Sequence, residues 1–332
     1  MTATPTYTEA VLELGQKKSN RFIEKCCYES AWHFKKVLRN HTIFHFIFFA
    51  LILLETSLFF FFISIQQKNY FIPITLAGIF LTFFSYLVLI YYFQAKKPEQ
   101  FLGIKNSFLK VCKQTLDVPP ASSDYHLSLA GAFEKLASFL EKNLENQDAA
   151  NAAESFKSFL LKKFRYLIKK DIVSMKELLI LESVREHILL IKKEPTDLEA
   201  HASLALTYLS LAKVYKTKNR EAFCQAIERA VEELKILKDY VPTDPWVHAQ
   251  LASCYHDLEK TEEEIKEYEL ILQLRPDDKE IMYRLGILYF QQGQNAKGLK
   301  IYDQLKNLGH SKADYLLNHY DAFTKSVFPH IS

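Results

Sequence analysis

The hydrophobic positions of the chain fall into an apolar block near its start and a longer remainder with helical spacing. Two almost wholly apolar runs, 43–65 and 71–93, each have about 23 residues and are separated by a short polar break. A helix needs roughly 20 apolar residues to cross the hydrocarbon of a bilayer. The pattern therefore predicts a two-helix transmembrane hairpin over 41–94. A buried hairpin in a soluble core is the alternative, and the length and late start of the first run argue against a signal peptide.

Basic residues flank the hairpin on its two outer sides. Four of them lie between 25 and 39, before the first run, and five lie between 96 and 113, after the second. The loop between the runs contains only Lys68. Because lysine and arginine accumulate on the cytosolic side of membrane proteins, we expect an integral membrane protein with two spans and both termini in the cytosol. A bacterial inner membrane is the expected location.

Polar residues interrupt both apolar runs. Glu55 lies in the middle of the first run, where an ionised carboxylate is costly. On the second run, small and hydroxyl residues recur at spacings of three and four, so they share a helical face: Thr75, Gly78, Thr82 and Ser85. If the spans pair antiparallel, Glu55 lies level with Thr82. We interpret this set as a polar contact that locks the hairpin or an oligomer; a proton pathway and a tolerated, protonated glutamate are the alternatives.

The segments on either side of the hairpin have their own character. Residues 1–40 form an N-terminal cytosolic arm, expected to be partly an amphipathic helix. It would lie on the anionic inner membrane surface or pack against the repeat domain. Cys26 and Cys27 are adjacent in this arm, and lipidation is the alternative to ordinary thiols. Residues 95–123 are predicted to be a juxtamembrane segment and linker, because Pro119 and Pro120 cannot continue a helix.

The remainder of the chain, from residue 124, has helical periodicity without long alternating segments. The fold class is therefore predicted to be all-α. Residues 124–196 are expected to form divergent helical hairpins, and residues 311–332 a C-terminal capping helix. Between them, over 197–310, the chain repeats with a period of 34 residues. Leu251, Ala252, Tyr255 and Tyr268 return as Leu285, Gly286, Tyr289 and Tyr302.

This repeat resembles the tetratricopeptide repeat, or TPR, whose pattern is W-x2-L-G-x2-Y, then A-x3-F, then P. In the two clear units His248 and Met282 replace the tryptophan, and Glu264 and Gly298 replace the alanine. A unit upstream, opened by Leu204, is longer by about 13 residues, an insertion placed near 216–220. The resemblance implies an α-solenoid of antiparallel helix pairs.

In the TPR family the first helix of each unit lines a concave groove. The resemblance therefore implies a groove for a protein or peptide partner, lined by Trp246, Gln250, Ser253, His256, Tyr283, Arg284, Ile287 and Phe290. Aromatic residues with few charges are typical of protein-binding surfaces. Ordinary packing is the alternative for Trp246 and Phe290. Chaperone-binding members use a basic, asparagine-rich groove, whereas Arg284 is the one basic residue of this set.

The overall composition restricts the chemistry of the protein. A net charge of +3 is too small to indicate a nucleic-acid partner. The 5 scattered cysteines are typical of a reducing compartment, and the 8 glycines argue against glycine-rich phosphate loops. The sequence contains no phosphate loop, zincin helix, nucleophile elbow or paired-cysteine metal site. We therefore predict no cofactor, no metal and no catalytic residue.

These patterns predict a membrane-anchored TPR scaffold or adaptor that mediates protein–protein interactions at the cytosolic face of a membrane. The hairpin would contact lipids and provide a surface for homo-oligomerisation. The phenylalanine-rich, bilobed hairpin also resembles the hydrophobic module of chlamydial inclusion membrane proteins. That resemblance implies, as the alternative, a secreted bacterial effector in a host vacuole (inclusion) membrane that recruits host proteins. An enzyme or transporter would require a polar pocket that the sequence does not indicate.

Overall fold

The computed structural model describes residues 7–64, 71–116, 118–120, 122–145 and 155–327. The regular structure of these residues is helical, which confirms the all-α prediction. The chain divides into two compact units, Met1–Glu186 and His187–Ser332. The first unit contains the apolar hairpin, and the second contains the 34-residue repeat.

Long helices form the first unit. They are α1 (Tyr7–Ser64), α2 (Phe71–Thr115), α3 (Ser123–Glu145) and α4 (Ser155–Lys193), of which α4 continues into the second unit. The predicted arm and the start of the predicted juxtamembrane segment are continuations of the two hairpin helices. Pro98 lies inside α2 without ending it. The break predicted at Pro119 and Pro120 falls between α2 and α3.

The hairpin helices α1 and α2 run antiparallel and stay together along their length. Near the loop the rings of Phe62 and Phe71 are stacked 5.3 Å apart. Far from the loop, Phe34 and Phe101 have ring centroids 5.2 Å apart. The apolar runs and the flanking segments thus belong to one continuous helix pair.

The arm packs within the protein through one face of α1. This face is buried and consists of Cys26, Cys27, Ala31, Phe34 and Leu38. Phe34 of this face meets Phe101 of α2, and Tyr28, which is 66% exposed, makes an edge contact with Phe139 of α3 beside it. Protein packing, rather than the membrane surface, therefore covers the apolar face of the arm. Burial also raises the pKa of the Cys27 thiol to about 12, which suits an inert buried thiol better than lipidation.

The second unit consists of helix pairs in which a first helix packs on a second. Its helices are α5 (Leu198–Tyr215), α6 (Arg220–Tyr240), α7 (Pro245–Asp257), α8 (Thr261–Leu274), α9 (Lys279–Gln291), α10 (Asn295–Asn307) and α11 (Ala313–Val327). Helices α7 and α9 begin 34 residues apart, as do α8 and α10. Asp244 and Asp278 cap α7 and α9 through side-chain hydrogen bonds to the first turn. The TPR-like register therefore sets the helix boundaries.

The long upstream unit differs from the others in helix length rather than by an inserted loop. Helices α5 and α6 have 18 and 21 residues, whereas α7 and α8 have 13 and 14. The turn between α5 and α6 remains short and is followed by Asn219, which caps α6. The extra residues of this unit therefore lengthen the C-terminal end of α5 and the N-terminal end of α6, on either side of the turn.

Candidate partner-binding groove

The predicted groove residues lie on the first helices of two successive pairs, α7 and α9. Most of them are at least partly accessible to solvent. Ser253, His256, Arg284 and Trp246 are exposed, and Gln250, Tyr283 and Ile287 are half-buried. Trp246 retains 38% exposure. It lies in the first turn of α7, where its backbone N–H donates to the Asp244 carboxylate at 2.9 Å. This hydrogen bond fixes the backbone at Trp246, and part of the indole ring remains accessible to solvent.

Tyr283 is held by residues of the turn between α10 and α11. The ammonium group of Lys312 lies 5.7 Å from the centre of its ring, and the His310 ring makes an edge contact at 6.3 Å. Lys312 also pairs with Glu280 at 3.3 Å. A cation over a tyrosine face is attracted by the ring quadrupole. The Tyr283 ring is therefore oriented before any partner binds.

Phe290 does not line a groove, and this part of the prediction is wrong. Its side chain is fully buried, with 0% exposure, and its ring meets Tyr320 of α11 at 5.5 Å. The cause is Gly298 of α10. A Cβ atom at position 298 would lie 2.7 Å from both Cδ1 and Cζ of the Phe290 ring. Because position 298 has no side chain, the phenylalanine turns inward and fills the space.

The equivalent positions of the preceding pair hold a polar contact instead. His256 and Glu264 lie 34 residues before Phe290 and Gly298. The exposed His256 ring approaches Glu264 with its Nδ1 atom 3.1 Å from Oε2. Glu264 is only 1% exposed, and its other oxygen, Oε1, has no hydrogen-bond partner among the described residues. The exposed His256 ring therefore contacts a buried carboxylate, that of Glu264.

Two histidines that stand at the tryptophan position form bridges that the sequence analysis did not predict. In α7, His248 is 1% exposed, and its Nδ1 lies 2.6 Å from Oε2 of Glu267 in α8. Its Nε2 donates to the carbonyl of Pro242 at 2.9 Å. Lys238 of α6 contacts the other oxygen of Glu267 at 2.7 Å. The bridge therefore ties three successive helices of the repeat together.

His201 forms the same arrangement one pair earlier. Its Nδ1 lies 2.6 Å from Glu233 of α6, and its Nε2 donates to the Pro195 carbonyl at 3.0 Å. Burial lowers the pKa of His201, but the hydrogen bonds to Glu233 and Pro195 outweigh it, so the pKa lies above its usual value. The sequence feature that could have indicated both bridges is the shared position of the two histidines, three residues before Leu204 and Leu251.

In the hairpin, the structure brings together two of the five predicted polar residues. Thr82 donates a hydrogen bond to Glu55 Oε1 at 2.7 Å, and Glu55 Oε2 is buried without a hydrogen-bond partner among the described residues. Thr75 donates instead to the carbonyl of Phe71 in its own helix, at 3.0 Å. In the described part of the hairpin, no heavy atom other than the adjacent helix backbone lies within 4 Å of the Cβ position of Gly78. Ser85 is half-buried on the same helix.

A neighbouring polar contact in the hairpin was not predicted. His45 Nδ1 lies 3.0 Å from the Tyr86 hydroxyl. Residues 45 and 86 lie farther from the loop between the runs than Glu55 and Thr82 do. Across the described segments, no three histidine, cysteine, aspartate or glutamate residues are grouped so that they could hold a metal ion.

Comparisons with known proteins give distant similarity to solved structures. No protein-family model matches the chain, and no curated protein matches it in sequence. MamA of AMB-1 is similar over 57% of this chain and 90% of its own, with 17% identity and a TM-score of 0.34. TTC0263, a thermophilic TPR protein of Thermus thermophilus, is similar over 61% of this chain and 98% of its own, with 17% identity and a TM-score of 0.32. Similarity at this level does not indicate what the chain binds.

Proposed function

We propose that this protein is a membrane-anchored scaffold. The hairpin of α1 and α2 holds it in a bilayer, and the helix pairs of the second unit bind a segment of a partner protein. Both termini lie on the cytosolic side. The partner is recognised by accessible side chains on the first helices of the pairs, without catalysis.

The accessibility of the apolar hairpin supports the membrane anchor. The part Phe22–Ser64 of α1 and the whole of α2, Phe71–Thr115, each contain a stretch that is apolar and long enough to cross a membrane. In both stretches 0% of the residues are buried within the protein. Phe60, Phe80 and Leu81 are 66%, 66% and 68% exposed. The core of a soluble protein would bury such residues, and an apolar surface of this extent in water would drive association. Lipid contact removes this surface from water.

One observation carries the binding proposal: large apolar side chains on α7 and α9 remain partly accessible beside a closed core. Trp246, Tyr283 and Ile287 keep part of their surface in solvent. Arg284 and His256 provide donors at the edges of this surface. Partly exposed aromatic anchors that become desolvated on binding typically dominate the energy of protein interfaces.

The groove is tested by capture of a partner with the full chain in detergent. A partner found with the wild-type protein should bind Trp246→Ala/Tyr283→Ala more weakly. Each truncated anchor typically costs about 2 kcal/mol or more, which corresponds to roughly 30-fold weaker binding. Tyr240→Ala is the matched control, since Tyr240 is 60% exposed but lies at the end of a second helix, α6. Equal capture by the groove variant and the control variant would exclude this surface.

The anchor and its membrane are tested separately by fractionation. Alkaline washing should leave the protein in the membrane pellet, because integral proteins resist it; release into the supernatant contradicts the anchor. A type III secretion reporter fused to the N-terminal residues then distinguishes the two locations. Retention in the bacterium supports the inner membrane, and export supports a host inclusion membrane.

A further inference from the structure

The direction of α4 is fixed by polar contacts with its two neighbours. Lys97 of α2 pairs with Asp171 at 2.6 Å, and Lys105 pairs with Glu182 at 2.7 Å. Residue numbers rise together in both helices, so α4 runs parallel to α2. Contacts with α3 have the opposite order, because Glu141 meets Lys176 whereas His126 meets Glu186. Helix α4 therefore points its N-terminus in the direction of the apolar hairpin.

Asp171 marks the level at which the hairpin begins. Its partner Lys97 follows the second apolar run by four residues. Asp171 also interacts electrostatically with His41, two residues before the first run. On the other side of α4, α3 ends at Glu145, only four residues beyond the Glu141 contact. Residues 155–170 of α4 thus extend past the end of α3, on the hairpin side of Asp171.

The overhanging segment, residues 155–170, has a distinctive composition. As a helix of 16 residues it is about 24 Å long. Six of its residues are basic and none is acidic: Lys157, Lys162, Lys163, Arg165, Lys169 and Lys170. Four apolar residues recur at spacings of four, four and three and so share a helical face: Phe156, Leu160, Phe164 and Leu167. This is the pattern of helices that lie at a bilayer surface.

We propose that residues 155–170 bind the anionic headgroup layer of the membrane that the hairpin crosses. The inference rests on the proposed membrane anchor. A straight continuation of α4 beside α2 would carry four of these cations, Lys157, Lys162, Lys163 and Arg165, into hydrocarbon, which is costly. In the headgroup layer the phenylalanine-bearing face enters the acyl boundary, and the cations meet lipid phosphates and carboxylates. The segment takes the surface role expected from sequence for the N-terminal arm, whose apolar face is covered by α2 and α3.

The test places a tryptophan reporter in the full chain, reconstituted in vesicles containing lipids brominated either near the headgroup or near the chain ends. The native Trp32 and Trp246 are first replaced by phenylalanine. Phe164→Trp provides the segment reporter, and Phe84→Trp, in a separate protein, provides the hairpin reporter. In vesicles of phosphatidylcholine with phosphatidylglycerol, the segment reporter should be quenched best by bromines near the headgroup, and the hairpin reporter by deeper ones. In pure phosphatidylcholine the quenching of the segment reporter should be largely lost.

Charge variants separate lipid binding from folding. Replacing Lys162, Lys163, Arg165 and Lys169 by glutamine should abolish quenching of the segment reporter and leave the hairpin reporter unchanged. Lys192→Gln/Lys193→Gln, at the opposite end of α4, is the matched control and should leave both reporters unchanged.

Each contrary result has its own meaning. If the hairpin reporter is quenched but the segment reporter stays open to aqueous iodide, the inference is wrong and the anchor stands. Equal quenching of the segment reporter in neutral and anionic vesicles overturns recognition of anionic lipid. Deep quenching of the segment reporter overturns the surface location. If the hairpin reporter is not quenched, both the anchor and the inference fail.

Discussion

Gly298→Ala is expected to destabilise the last helix pair, although alanine is the better helix former. The new Cβ atom would lie 2.7 Å from two carbons of the Phe290 ring, well inside van der Waals contact. The ring is fully buried and also contacts Tyr320, so it has little room to move. Overpacking of this kind typically costs about 1–3 kcal/mol. The helix-propensity gain of alanine over glycine offsets up to about 1 kcal/mol of that cost.

Contacts this short place the cost in the upper part of that range, at about 2–3 kcal/mol. We therefore expect a net loss of about 1–2 kcal/mol in the local opening free energy of α9 and α10, or roughly 5- to 30-fold less protection. Hydrogen exchange of peptides from these helices, measured on the full chain in detergent, reports this quantity. Gly131→Ala in α3 is the matched control, because no heavy atom of the described residues, apart from the adjacent helix backbone, lies within 4 Å of its Cβ position. That variant should be neutral or stabilised.

A compensating variant tests the cause. Phe290→Leu combined with Gly298→Ala removes ring volume where the methyl group is added, and it should recover part of the lost protection. Unchanged or increased protection in Gly298→Ala alone would refute the inward placement of Phe290 and return this residue to the groove.

Three further predictions concern other contacts. Because the pKa of His201 is raised, the stabilising contribution of this histidine is present below its unfolded pKa of about 6.5 and is lost as the pH rises through its folded pKa. The difference in melting temperature between wild type and His201→Gln should therefore shrink from acid to alkaline pH. A constant difference would contradict this prediction. Glu259 has a positive φ of 60° where the next unit has Gly293, so Glu259→Gly should stabilise the α7–α8 turn by about 0.5–1 kcal/mol, and faster exchange there would argue against it. Thr82→Val removes the donor to Glu55 and should weaken the pairing of α1 and α2 by about 1 kcal/mol, measurable as earlier separation of a fluorophore pair on the two helices during detergent titration.

The sequence predicted those features that depend on spacing along one chain segment. The 34-residue period located the starts of α7 and α9, because Asp244 and Asp278 provide caps wherever the period requires a helix start. The length of the apolar runs likewise predicted the paired helices α1 and α2. Antiparallel pairing placed Glu55 level with Thr82, and a hydrogen bond joins these residues; its role in locking the hairpin remains a prediction.

Features that depend on a second segment were missed. Phe290 occupies a groove position in the repeat, but its direction is decided by the absence of a side chain at Gly298. The same position in the preceding pair holds His256, which meets Glu264 and remains accessible. One position of a repeat therefore faces inward or outward depending on its partner in the second helix.

The ion pairs of α4 could not be predicted from the periodicity of the sequence, for a similar reason. Lys97 is part of the basic flank of the second apolar run, yet it also pairs with Asp171, which lies 74 residues away in the chain. Nothing within either segment indicates this contact. The parallel direction of α4, and hence the location of residues 155–170, follows only when both helices are seen together.

The central claim is that the hairpin crosses a membrane and leaves the repeats in the cytosol, and cysteine accessibility in intact cells tests it most directly. In a background with Cys224, the half-buried native thiol, changed to serine, Lys68→Cys reports on the loop and the exposed Lys260→Cys reports on the repeats. We predict that a membrane-impermeant maleimide labels position 68 in intact cells and position 260 only after permeabilisation. Labelling of position 260 in intact cells, with none at position 68, would contradict the account.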